Sequence, residues 1–136
     1  MVSPGIRALA YVVLGVTGEV IYTALKALIQ KHDLRLQGYT QLWVMPFYAL
    51  GGVFIFEKLV LLMGGWNIAL RFLVYALVIF GIEYLAGFTA KQITGKCPWE
   101  YQGKRNLHGY INLPHLPFWG AVGLIFEFVH RWLISF

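Results

Sequence analysis

The chain has 136 residues, 59% of them apolar and only 12% charged, with a formal net charge of +5. Soluble domains run roughly 45–50% apolar and about 25% charged, and a chain this short cannot hide such an excess of apolar surface from water. A water-soluble bundle is therefore disfavoured, nucleic acid is not an expected partner because no basic stripe accompanies the charge, and the single cysteine, Cys97, excludes an intrachain disulfide.

Four apolar segments follow in order, at about 6–28, 42–63, 68–90 and 114–135. Each is close to the roughly 20 residues a spanning helix needs. The first is too long for a signal peptide and is interrupted by Glu19, so it is expected to be a retained helix. At 100° per residue, Arg7, Tyr11, Gly15, Gly18, Glu19 and Tyr22 share about one third of its circumference. A polar link, 29–41, leads to the second segment, which holds Glu57. The link 64–67 (GGWN) predicts a tight turn, which makes segments two and three antiparallel neighbours. The third segment carries Arg71, Tyr75 and Glu83. The long polar stretch 91–113 precedes the fourth, on which Gly120, Gly123, Glu127, His130 and Arg131 share a stripe. Glu127 and Arg131 form an i,i+4 pair in the favourable order.

Two stretches repeat. GYTQLWVMPFYALGG (38–52) and GYINLPHLPFWGAVG (109–123) share Gly38/Gly109, Tyr39/Tyr110, Leu42/Leu113, Pro46/Pro117, Phe47/Phe118 and Gly52/Gly123, with Tyr48/Trp119 a close substitution. RALAYVVLGVTGE (7–19) and RFLVYALVIFGIE (71–83) share Arg7/Arg71, Leu9/Leu73, Tyr11/Tyr75 and Glu19/Glu83. The expected architecture is an all-α integral membrane four-helix bundle, one transmembrane domain over 1–136. It consists of two tandem two-helix repeats, about 6–63 and 68–136. Two helices return the chain to its starting side, so the expected symmetry is a parallel pseudo-two-fold along the membrane normal. Loops 29–41 and 91–113 with their flanks hold Lys26, Lys31, Arg35, Lys91, Lys96, Lys104 and Arg105; the other side holds Arg7, Lys58, Arg71 and Arg131. That excess places both long loops in the cytoplasm and both termini outside.

The chemistry rests on one glutamate per helix: Glu19, Glu57, Glu83 and Glu127. Intramembrane carboxylates are costly and face protein or water. By helical rise, Glu19 and Glu83 lie about 10–14 Å from the long-loop side, and Glu57 and Glu127 about 9–14 Å from the other. The four form a ladder across the bilayer. It reads either as interhelical glue or as a path for protons, cations or a cationic substrate, with Arg7, Tyr11, Tyr22, Arg71, Tyr75, His130 and Arg131 beside it. A bundle this small is expected to dimerise to enclose a pore. A second reading is lipid binding. In KCPWEYQGKRNLHGYINL (96–113), Trp99, Tyr101 and Tyr110 suit the headgroup layer, Lys96, Lys104 and Arg105 suit lipid phosphates, and Glu100 lies among them.

No catalytic residue, metal or cofactor is expected. Glu127-Phe-Val-His130 has the Glu-x-x-His spacing of di-iron bundles, but those use two such pairs, and Glu19, Glu57 and Glu83 are followed three residues on by Tyr22, Val60 and Ala86. Cys97, His108 and His115 lack zinc spacing, and no nucleophile elbow, Walker loop or Rossmann glycine pattern is present.

The run Glu83 … Gly87 … Cys97-Pro98-Trp99-Glu100-Tyr101 … Gly109-Tyr110-Ile111-Asn112-Leu113 … Trp119-Gly120 resembles the bacterial proteins described as putative ABC-transporter type IV permeases, and the vertebrate transmembrane protein 229. In that pattern Asp usually stands where this chain has Glu100. The resemblance spans nearly the whole chain. It implies a four-helix permease-like membrane protein, with membrane lipids and unidentified transporter subunits as partners, and it brings no catalytic residue. Permease subunits of ABC transporters typically have more helices and cytoplasmic coupling segments than this chain.

Overall fold

A computed structural model describes residues 1–136. Helix α1 spans Pro4–Lys31, α2 is a composite over Leu42–Leu62, α3 spans Ile68–Thr94 and α4 spans Leu116–Ile134. The loop between α3 and α4 adds a small antiparallel hairpin, β1 (Asn106–Leu107) and β2 (Ile111–Asn112). The chain is thus all-helical apart from two dipeptide strands, as its composition requires.

Capping residues, not the apolar runs, set the helix ends. Ser3 accepts from the Ile6 N–H at 3.4 Å and Pro4 opens α1, while His32 in a left-handed conformation closes it. Asn67 accepts from the Leu70 N–H at 2.9 Å, and Gly95 at φ +82° ends α3. These caps satisfy terminal backbone groups and carry both helices a turn beyond the expected 6–28 and 68–90. Apolarity marks where a helix meets lipid, and capping marks where its backbone bonds end.

Helix α2 changes geometry along its length. A 3₁₀ turn (Leu42–Val44) and a short α segment (Met45–Leu50) lead into a π turn (Gly51–Phe56) and a final α segment (Glu57–Leu62). Adjacent Gly51 and Gly52 are both buried in the widened turn. A side chain at Gly52 would overlap the Tyr11 ring, and one at Gly123 the Tyr75 ring. Both rings sit in the central cluster of Tyr11, Phe56, Val60, Met63, Tyr75 and Phe126. Small residues here let neighbouring backbones approach large rings.

Helix α3 packs mainly on α4, α1 mainly on α2, and α1 also touches α4. Leu9, Val13, Leu61, Leu73, Leu77, Leu85 and Phe128 all point outward. Little of α1, α2 and α3 is buried inside the protein, and these three helices are long and apolar enough to cross a membrane. An apolar exterior this extensive fits lipid, not water. α4, at 19 residues, is about 28 Å long, with its apolar character diluted by Glu127, His130 and Arg131.

Candidate functional site

The four glutamates fall into two pairs with opposite surroundings. At the end near the termini, Arg7 grips Glu57 with two bonds, Nε to Oε1 at 2.7 Å and Nη2 to Oε2 at 3.0 Å. A third guanidinium bond, from Nη1, reaches the Val2 carbonyl at 2.6 Å. The Tyr11 hydroxyl lies 3.0 Å from Glu57 Oε1 and 2.8 Å from His130 Nδ1, so it can accept from the histidine while donating to the carboxylate. Glu127 accepts from Arg71 Nη1, from Arg131 Nε at 3.0 Å and from the Tyr75 hydroxyl at 2.5 Å. Arg71 Nε is buried with no acceptor. Both carboxylates are thus matched by guanidinium charge, the condition under which a buried ion is tolerated. The i,i+4 contact of Glu127 and Arg131 is present. His130 turns to Tyr11 and Glu57 instead of joining Glu127, so the Glu-x-x-His spacing does not become a shared site.

Toward the long loops the partners are neutral. Glu19 accepts from the Tyr48 hydroxyl at 2.6 Å and from Thr40 Oγ1 at 2.5 Å. Glu83 accepts from the Tyr101 hydroxyl at 2.7 Å and from the Trp119 indole N–H at 3.1 Å. No cation pairs with either one. Each carboxylate oxygen holds one donor and keeps acceptor capacity to spare. Both glutamates line one cavity of about 860 Å³, within the roughly 300–1,000 Å³ of small-molecule sites.

One side of that cavity is a continuous run of rings. Tyr101 lies 5.3 Å from His115, His115 5.2 Å from Tyr22, Tyr22 4.7 Å from Phe118, and Phe118 5.0 Å from Trp119. The Tyr22 hydroxyl and His115 Nε2 are 2.6 Å apart. Toward the rim, the α1 stripe that begins at Glu19 continues through Tyr22, Thr23, Lys26, Ala27, Gln30 and Lys31, all lining the cavity. Below it, a second space of about 50 Å³ bounded by Phe47, Tyr48, Gly51, Gly52, Phe56 and Tyr75 is almost wholly apolar. The rings of Tyr11, Phe56, Tyr75 and Phe126 pack on one another beside the arginine-paired glutamates.

The 96–113 loop packs differently from a flat interfacial cap. Trp99 donates its indole N–H to the Tyr110 carbonyl at 3.0 Å. Tyr110 is buried against Tyr84, ring centroids 4.8 Å apart, with Lys91 Nζ 5.9 Å from its ring. Tyr101 turns inward to Glu83, where burial and then the nearby Glu83 charge hold its hydroxyl far above the usual tyrosine range. An aromatic ring with a polar tip settles where that tip finds a partner. Lys96, Glu100, Lys104 and Arg105 stay exposed. Sequence reasoning missed Tyr48, Thr40, Trp119 and His115 as site residues. The Tyr48/Trp119 correspondence between the two similar stretches was the available signal for two of them. No group of three or more His, Cys, Asp or Glu stands close enough together to hold a metal ion.

A family model described as putative ABC-transporter type IV matches residues 8–136, nearly the whole chain, and the chain belongs to that family. No solved structure matches it. The family and the three apolar helices together point to a membrane protein.

Proposed function

We propose that this family member is a small permease-like or channel-like protein whose solute site is the Glu19/Glu83 cavity. The observation that carries the proposal is the lack of any cationic partner for these two carboxylates in a cavity of solute size. An intramembrane carboxylate is retained at a cost and marks a path or site by default. At the other end the same residue type is matched by arginine and serves as structure. On this reading the central rings of Tyr11, Phe56, Tyr75 and Phe126 separate the two ends, so passage requires them to part, as in hydrophobic gates.

Paired contacts support the tandem-repeat reading. Arg7, Tyr11 and Gly52 meet around Glu57's half as Arg71, Tyr75 and Gly123 meet around Glu127's, and Glu19 takes Tyr48 where Glu83 takes Trp119. On this reading α4 is the fourth span and both long loops face the cytoplasm. The exposed apolar faces are covered by lipid and by a second copy in a homodimer.

Uptake of protons and of monovalent and organic cations into liposomes carrying the purified protein tests the function. Flux in the wild type that falls at least tenfold in a folded Glu19→Gln/Glu83→Gln variant is the expected result. Equal flux in the two would remove these carboxylates from the path. A second reading, lipid binding without transport, is favoured by the cationic rim of Lys26 and Lys31 over an aromatic wall. It predicts no flux together with lipid that remains bound through purification.

A further inference from the structure

The cavity's chemistry changes along its depth, and this gradient defines a ligand class. Its inner part holds Glu19 and Glu83 beside the ring wall Tyr101–His115–Tyr22–Phe118–Trp119. Carboxylates beside aromatic rings are the surroundings that recognise alkylated ammonium groups, since ring faces attract a diffuse cation that carries little hydration. A metal ion is a poor fit there. The carboxylate oxygens already hold hydroxyl and indole donors, and no cluster of three ligating side chains exists.

The rim has the opposite sign. Lys26 and Lys31 lie on the α1 stripe that begins at Glu19. Lys26 is seven residues further along, about 10 Å by helical rise, a gap that its own extended side chain and an anion a few bonds beyond the ammonium (four in phosphocholine) bridge together. Glu100 also lines the rim, and neither lysine makes an ion pair with it or with any other acid. A bare cation meets these ammonium groups on entry and gains nothing from them. A cation that trails an anion gains at both levels.

We infer that the cavity binds a zwitterion, an alkylammonium group seated between Glu19 and Glu83 with a phosphate or carboxylate trailing toward Lys26 and Lys31. The inference rests on the reading of this cavity as the solute site. The same chemistry occurs in a free solute and in a zwitterionic lipid headgroup.

Calorimetric titration of the full chain in a maltoside detergent tests it, with phosphocholine, tetramethylammonium and inorganic phosphate as probes. Phosphocholine is expected to bind at least tenfold more tightly than either fragment. Lys26→Glu/Lys31→Glu, at exposed positions without bonds, should fold normally and bring phosphocholine down to the level of tetramethylammonium. Glu19→Gln/Glu83→Gln should abolish binding of both. Phosphocholine binding no tighter than tetramethylammonium, or unchanged by the lysine reversal, overturns the inference. Native mass spectrometry from mixed phosphatidylcholine and phosphatidylglycerol bilayers separates the sources: selective retention of phosphatidylcholine supports a headgroup, and phosphocholine binding without retained lipid supports a free zwitterion. Carboxylate-dependent flux with no zwitterion binding would sink this inference and leave the solute-site reading standing. Zwitterion binding without flux would do the reverse.

Discussion

At the terminal end, Glu57 and Glu127 meet Arg7, Arg71 and Arg131; at the loop end, Glu19 and Glu83 meet Tyr48, Thr40, Tyr101 and Trp119. The two pairs share a residue type, and they differ in what compensates the cost of taking it out of water. A guanidinium cancels the carboxylate charge on site. Hydroxyl and indole donors orient a carboxylate and leave its charge to attract something else. The first arrangement encloses Tyr11 and Tyr75 fully. Cavity space follows the second. A buried carboxylate thus marks a ligand site according to its partners, not its depth.

Removing an arginine gives the largest expected break in this contrast. Arg7→Ala leaves Glu57 without its counter-charge in a nearly enclosed position, side-chain exposure 10% for Arg7 and 13% for Glu57. Breaking a buried ion pair from one side costs about 3–5 kcal/mol, to be read as unfolding free energy in mixed micelles. Arg7→Met combined with Glu57→Gln should recover most of it, because a neutral pair needs no compensation. A double variant as unstable as Arg7→Ala would show that Arg7 acts through packing and its bond to Val2. Next in size are Gly52→Ala and Gly123→Ala, where the new methyl must displace a buried tyrosine ring. Overpacking of this kind costs about 1–3 kcal/mol. The two values should agree closely if the halves are equivalent, and unequal values would set the π turn of α2 apart from regular α4.

Much of this architecture was legible beforehand. The apolar runs announced the helices, and the shared Arg7/Arg71 and Tyr11/Tyr75 positions pointed to residues that meet carboxylates at the terminal end. What remained hidden was which helix each glutamate turns to. Arg7 and Glu57 are fifty residues apart, and helical spacing places each on a face without saying which face opposes it. Tyr101 illustrates the same limit. Its loop reads as an interfacial cap because aromatic and basic residues alternate there, yet the hydroxyl is drawn inward by an unpaired carboxylate on α3. The central ring cluster was hidden for a related reason. Depth along a helix axis is readable from residue count, but the rings that meet in the central cluster come from all four helices.

A smaller effect is expected where one neutral donor is lost. Tyr101→Phe removes the hydroxyl that donates to Glu83 at 2.7 Å, a bond to a charged acceptor that contributes about 1.5–3 kcal/mol, here toward the lower figure because the cavity can admit water. The wild-type hydroxyl is held protonated by burial and by Glu83, so it donates throughout the ordinary pH range. The unfolded chain ionises this tyrosine near its usual value of about 10, and the folded chain resists. The sign is therefore fixed: the tyrosine's contribution is constant below pH 10 and declines above it, and Tyr101→Phe should flatten that alkaline decline.

The smallest stability change comes from amide replacement at Glu19, and its sharpest use is beside the same replacement at Glu57. Glu57→Gln strands Arg7 in a low-dielectric site and should destabilise by an amount comparable to Arg7→Ala, about 3–5 kcal/mol. Glu19→Gln strands no cation. Its amide oxygen still accepts from one of Tyr48 and Thr40, and its amide nitrogen can donate to the other hydroxyl, whose oxygen accepts as readily as it donates. The expected cost is about 1 kcal/mol, the scale of one rearranged hydrogen bond. Micelle unfolding of the two variants side by side decides the matter. A large loss at Glu57 with a small one at Glu19 assigns the first carboxylate to holding the helices together and frees the second for a ligand. Equal large losses would make Glu19 structural too and take away the ground for placing a solute beside it.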